Sequence, residues 1–313
     1  MIGTKDSLVI MRLLQLSGIG PAKVNSLLRW CEDSGRSLFE VVSNQEALKE
    51  RLTSEQLMDF QAKEISKALE TSLENASVHL LSAVDEGYPS KLKIGMKAKA
   101  PPLLYCRGNL KLLSSDSIGF CGSRKASEKG IETARDCAEQ LARGGLTVVS
   151  GYAAGVDITT HKAALAAGGN TVFVLPEGIL HFRIKQEIEH LWDWNRVVVV
   201  SQFEPTLSWS VQNAMARNSV ICALSNAMIL IEAGTTGGSI AAGRTCLEMK
   251  KPLFAPVYEG MPESAAGNRL LLKDGALPLG KSRQTQRAAV DKVFEVSTQS
   301  TIGRGEQQIS LFG

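Results

Sequence analysis

SIGFCGSRKAS at residues 117–127, LTVVSGYAAGVD at 146–157 and NTVFVLPEG at 170–178 decide the fold. Each is a short apolar run, rich in β-branched residues, that stops at a turn made possible by glycine or proline. Each is followed by enough chain for a crossover helix. Strands that alternate with helices in this way require a parallel sheet covered on both faces. Similar runs at Val197–Ser201, Ala227–Ile231 and Leu253–Val257 extend it, so the expected class is α/β with a doubly wound, mostly parallel sheet. Leu103-Leu104-Tyr105 follows two adjacent prolines, which exclude helix, and reads as an edge strand leading into the sheet.

Ligands of such sheets sit outside the carboxyl ends of the strands. Four turns fall there: 122–124, 151–157, 176–178 and 234–239. Gly122, Gly151, Gly155 and Gly238 let a backbone approach phosphate, and Ser123 and Ser239 add hydroxyls. Asp157 suits the N-cap of a helix that carries His161 and Lys162. Arg124, Lys162 and Arg217 supply the charge to hold an anion. Taken alone, His161 reads as a packed or capping histidine rather than a catalyst. No GxGxxG is present, which argues against a nicotinamide cofactor, and no other cofactor is expected.

Ahead of the sheet, residues 8–30 read as helix, hairpin, helix around Gly18-Ile19-Gly20-Pro21. Pro21 suits the first turn of the second helix, whose N–H groups beside Lys23 would suit a phosphate. The same turn equally joins two packed helices without a ligand. Helical periodicity through Leu38–Val42 and Leu57–Leu69 completes a small all-helical domain of the helix-hairpin-helix or SAM-like kind, residues 1–75. The sheet domain then spans 76–282, and 283–313 holds a short helix and a polar tail. Lys91, Lys93, Lys97 and Lys99 in the connection read as a solvated surface.

At 313 residues the chain has room for about two domains, and 44% hydrophobic with 21% charged residues is an ordinary globular balance. A net charge of +3 gives no global basic field, so an anionic partner needs a local cluster. Asp6 and Arg12 interrupt the apolar residues near the N-terminus, so no signal peptide form is present. No run approaches the ~18 apolar residues of a membrane span. Six cysteines without a CxxC pair read as buried thiols in a reducing cytosol rather than disulfides or zinc ligands, so a cytoplasmic protein without a metal is expected.

The chain resembles the bacterial DNA-processing protein A, or Smf, family. The likeness runs to about Gly280 through the GIG hairpin, Tyr88-Pro89, Pro101–Tyr105 with Arg107-Gly108, Gly122-Ser123-Arg124, Val149–Gly151, Gly155-Val156-Asp157, His161, Arg217-Asn218 and Gly275-Ala276. It implies a Rossmann-like domain that binds single-stranded DNA, forms a homodimer and passes the strand to a RecA-type recombinase, without catalysis. Ser123 and Arg124 match the family's first loop, a contact to the DNA backbone. His161 and Lys162 fall on a helix facing the same pocket. Arg217 and Asn218 match the core of a Phe-Pro-x-Arg-Asn-Arg segment, and Gly238-Ser239 part of a Ser-Gly-Ser turn. The departures are specific: the aromatic-proline pair appears as Ala214-Met215, and the second arginine as Ser219.

Two strings lie outside that pattern. Gly275–Ser282 matches GxxxxGK[ST], but Pro278 stiffens a loop whose N–H groups should wrap phosphate. Gln308-Ile309-Ser310-Leu311-Phe312 resembles the peptide by which bacterial proteins dock on the replicative sliding clamp. Leu311 and Phe312 would enter an apolar pocket and Gln308 bond at its edge, or the tail folds back on its own domain or a dimer partner. The rival class is a nucleotide-binding enzyme or sensor resembling the phosphoribohydrolases. Those need a Pro-Gly-Gly-x-Gly-Thr-x-x-Glu loop, whereas here the acid, Glu232, precedes the glycines and Glu177 is a spare carboxylate.

Overall fold

The computed structural model describes residues 2–44, 48–49, 51–258 and 260–302. The clamp-type residues Gln308, Leu311 and Phe312 therefore lie outside the described residues. The chain opens with α1 (Lys5–Leu13), α2 (Pro21–Asp33), α3 (Leu38–Ser43), α4 (Ser54–Ala62) and α5 (Lys67–Asn75). Pro21 stands in the first turn of α2, and Ser37 with Glu40 and Thr53 with Gln56 form reciprocal capping boxes on α3 and α4. The periodicity read through Leu57–Leu69 is broken because the Ser66 hydroxyl accepts from Leu69 N and starts a new helix.

The sheet unit follows as β1 (His79–Ser82), α6 (Ser90–Met96), β2 (Leu103–Gly108), β3 (Ser117–Cys121), α7 (Glu128–Arg143), β4 (Thr147–Ser150), α8 (Val156–Ala166) and β5 (Thr171–Val174). It continues with α9 (Gln186–Glu189), β6 (Val197–Ser201), α10 (Val211–Leu224), β7 (Ala227–Leu230), α11 (Gly238–Glu248), β8 (Leu253–Pro256), α12 (Ala266–Lys273), β9 (Leu277–Leu279) and α13 (Asp291–Ile302). The strands form one sheet in the order β1-β2-β6-β5-β4-β3-β7-β8-β9. From β3 to β9 every pairing is parallel, which gives the Rossmann-like α/β architecture. Winding proceeds outward from β3 to β6, then returns to β7 on the other side of β3. The gap between the β3 and β7 loops is thus the topological switch point.

Alternation along the strands divides the core. Ile118, Phe120, Val148, Ala227 and Ile229 face a cluster with α7, α8 and α13, while Cys121, Val149, Met228 and Leu230 face the opposite cluster. The second cluster is continuous with the helical part: Ile10, Met11 and Leu13 of α1 pack with Leu80 and Leu104, and Leu80 N donates to Ile2 O at 2.7 Å.

Two readings are corrected here, and a third, against a phosphate loop at Gly275–Ser282, gains its structural reason. The strand at Leu103–Tyr105 is not an edge, because β1 pairs with it antiparallel and it pairs with β6 on its other side. Lys91 is not solvated: it is buried and donates to Ser115 O and Ser117 Oγ at 2.6 and 3.2 Å. The middle of the Gly275–Ser282 string is itself a strand, β9, paired with Phe254–Pro256, and no helix opens directly from its end, the next one starting at Asp291. Gly280 O instead accepts from Ala289 N, and Ser282 N donates to Arg287 O, so this is not a phosphate loop. The chain beyond β9 packs back on α7 through Asp136, which accepts from Ala288 N at 2.6 Å and pairs with Arg287 at 2.5 Å.

Helix α10, which brings Arg217 and Asn218 to the strand ends, is anchored at its far end by one lysine. Lys251 Nζ donates to Cys222 O, Ala223 O and Ser225 O at 2.9, 2.5 and 2.6 Å, where the helix dipole favours a cation. Lys251→Met is expected to cost about 1–3 kcal/mol of stability, measured by urea unfolding.

Candidate functional site

The loops after β3 and β7 and the first half of α10 enclose a crevice of about 450 Å³ at the switch point. The structure brings Gly122, Ser123, Arg124, Arg217, Asn218, Gly238 and Ser239 together around it. Ser123 is fixed by its backbone, donating from N to Glu232 O at 2.8 Å, while its hydroxyl accepts from Lys125 N at 3.0 Å. That turn leaves Arg124 exposed, its guanidinium 5.5 Å from the centroid of the Trp209 ring. Asn218 donates to Gly238 O at 3.3 Å and so ties α10 to the start of α11.

Four helix N-termini reach this rim, and they are not equivalent; that of α10 is closed by the Ser210 hydroxyl, which accepts from Asn213 N. That of α7 is closed: the Ser127 hydroxyl accepts from Gly130 N, and Ser127 N and Oγ donate to the buried Glu232 carboxylate at 2.9 and 2.6 Å. Tyr258 Oη also donates to Glu232. The N-terminus of α8 is filled from within the loops, since Val156 N donates to Ser123 O and Ile158 N to Ala153 O, and Asp157 sits in its first turn. On α11, which follows Gly237 at φ +97°, no side chain supplies a cap. Its positive dipole end is the one left for an anion.

Arg217 is not an exposed phosphate clamp. It is buried, 3.6 Å from the equally buried Asp157, and its Nε has no partner. Asp157 is not the N-cap of α8, which is Gly155; its carboxylate accepts from Ser150 Oγ at 3.0 Å and Ala153 N at 3.2 Å. Gly151 is also buried, because the guanidinium occupies the space that a side chain there would fill. Gly155 is required for a different reason: its φ is +80°, and a Cβ would stand 2.6 Å from Ser123 O. Both glycines are explained by packing within the protein rather than by approach to a ligand.

His161 lies outside the crevice. It is wholly buried, stacked on Phe173 at 3.7 Å between ring centroids, and its ring nitrogens bond Thr171 Oγ1 and Gly151 O at 2.6 Å each. Burial lowers its pKa to about 3 against the Gly151 bond that favours the cation, with Lys185 and Arg217 lowering it further. Lys162 is exposed on α8 but does not line the crevice. Lys23 is in the helical part, where its Nζ donates to Gln56 Oε1 at 3.1 Å.

Sequence reasoning missed the roles of Asp157 and Glu232, which depend on partners distant in the chain. It also missed Trp209, whose only outward sign was an aromatic residue between two serines just ahead of a helix. Cys121 lines the crevice floor, where burial pushes its thiol up to about 12, so it is no nucleophile at neutral pH.

Two outcomes test these assignments. Arg217→Met should cost about 3–5 kcal/mol of stability by stranding the Asp157 charge, and adding Asp157→Asn should recover part of it, as urea unfolding will read. His161 takes up a proton more readily when unfolded, so stability is full above pH 6.5 and falls as pH drops toward 3. Between pH 7.5 and 5 the loss from this group should be roughly 2 kcal/mol, and this part of the slope should vanish in His161→Gln.

Comparison with known proteins places the chain among relatives of the same fold. The model of the family described as DNA recombination-mediator protein A matches residues 79–289. Protein Smf of Escherichia coli (strain K12) is 30% identical over 275 residues, which cover 87% of this chain and 72% of that protein. The X-ray structure of DNA processing protein A from Streptococcus pneumoniae superposes with a TM-score of 0.74 at 25% identity, over 89% of this chain and 95% of the other. DNA processing protein A from Helicobacter pylori, whose structure concerns a single-stranded DNA binding mode, gives 0.57 at 25% identity, over 72% and 96%.

Proposed function

Because the chain belongs to the DNA recombination-mediator protein A family, we propose that it binds single-stranded DNA across the crevice between β3 and β7 and performs no catalysis there. The observation that carries this reading is the pairing of the exposed Arg124 with the N-terminus of α11, which no side chain caps, at the switch point of the sheet. A phosphodiester placed between them meets a guanidinium on one side and helix N–H groups on the other. The Arg217–Asp157 pair is close to neutral, so it shapes the floor and adds little net attraction.

Two acids near the strand ends, Glu232 and Asp157, have structural partners, which supports a binding role. Glu232 takes up Ser127 and Tyr258, and Asp157 takes up Ser150, Ala153 and Arg217. Neither carboxylate stands free to activate water in a bound nucleotide, as a phosphoribohydrolase-like activity would require. Among the described residues no group of side chains could hold a metal ion, and no helix is long and apolar enough to cross a membrane.

Family membership extends the proposal to delivery of the strand to a RecA-type recombinase by a homodimer. The sliding-clamp contact through Gln308, Leu311 and Phe312 is a separate part of it and rests on sequence resemblance alone.

Fluorescence anisotropy with a labelled oligothymidine should show binding that weakens as salt rises. Arg124→Ala should weaken it further and make the log–log salt slope shallower by about one. Absence of binding by the unaltered protein at low salt overturns the reading.

A further inference from the structure

The segment just before α10 is unusually apolar for a surface. Of the ten large apolar side chains exposed among the described residues, Leu207, Trp209, Val211 and Met215 fall within nine consecutive positions. Trp209 is 44% exposed, and Trp209, Val211 and Met215 line the same crevice as Arg124 and the start of α11. An exposed apolar patch beside a cationic rim suits a ligand that alternates charge with flat apolar surface. Single-stranded nucleic acid has that alternation: a phosphate at each step and a base whose faces are free to stack.

The geometry points to Trp209 as the base-stacking platform of this chain. We propose that it takes the place left by Ala214-Met215, where the family resemblance would put an aromatic residue, and this rests on the single-strand reading above. The Arg124 guanidinium already lies over the indole at 5.5 Å, so the group aimed at phosphate and the ring offered to a base form one preassembled unit. Ser123 and Lys125 fix the turn that carries Arg124, and the hydroxyl of Ser210 caps α10 directly after Trp209, accepting from Asn213 N. Neither side of the unit needs to be built when the strand arrives. Every base has a π-face, so a contact of this kind is indifferent to sequence.

The other tryptophans are engaged elsewhere. Trp30 lies under Arg51, and Trp192 and Trp194 pack edge to face on each other. Quenching of intrinsic fluorescence by an unlabelled oligothymidine therefore reports on Trp209. In the full chain, Trp209→Phe should lose the quench while keeping most of the affinity. Trp209→Ala should bind roughly 5- to 150-fold more weakly, the range expected for one lost base–aromatic stack. An abasic strand of equal length should bring the unaltered protein down to the level of Trp209→Ala and leave Trp209→Ala little changed. Should Trp209→Ala bind oligothymidine as tightly as the unaltered protein, the platform assignment is overturned and the single-strand reading survives, leaving the apolar patch to some other partner. Equal losses by both proteins on the abasic strand overturn it too. If the unaltered protein binds no strand at low salt, both fall together.

Discussion

A guanidinium and a carboxylate that have both left water hold the rim of the crevice in place. Arg217 arrives from α10 and Asp157 from the first turn of α8, and they meet beneath Gly151 at the end of β4. Taking two charges out of water is costly, and the pair is tolerable here because Ser150 and Ala153 also bond the carboxylate. Once formed, it sets the distance between α8 and α10. That distance in turn places Asn218 against Gly238, and Trp209 and Met215 at the crevice mouth. The charge most easily taken for a ligand contact is thus part of the frame on which the contacts are mounted.

The closed and open helix ends complete the division of labour. Glu232 occupies the end of α7, and the loop carbonyls with Asp157 occupy that of α8. Left unfilled, each would attract an anion of its own. With the end of α10 capped by Ser210, filling three of the four concentrates the favourable field on the start of α11 beside Arg124.

The parallel core was legible because β-branched runs ending in glycine turns have few other readings, and the crevice followed from the rule that relates strand ends to ligands. Legibility stopped where the outcome depended on partners far away in the chain. Nothing local distinguishes Lys91, which enters the protein, from Lys93, which stays outside. Nothing local shows that Arg217 meets Asp157, or that His161 stacks on Phe173. The four-residue β1 is too short for a period-2 pattern to stand out, and Pro278 argued against a strand that nonetheless forms at the border of the sheet. The family resemblance located the rim but not the roles, because a residue type at a matched position says little about whether its side chain faces solvent or the interior.

Both borders of the sheet are short and guarded. At one side β1 has four residues, and the backbone of Ile2 already bonds Leu80. At the other, β9 has three, centred on a proline that has no N–H to offer, and the chain beyond it folds across onto α7. Among the described residues neither side presents a long row of free donors and acceptors on which a foreign strand could template itself. A collision between two copies of this protein is therefore given no sheet border from which extended β-structure could propagate.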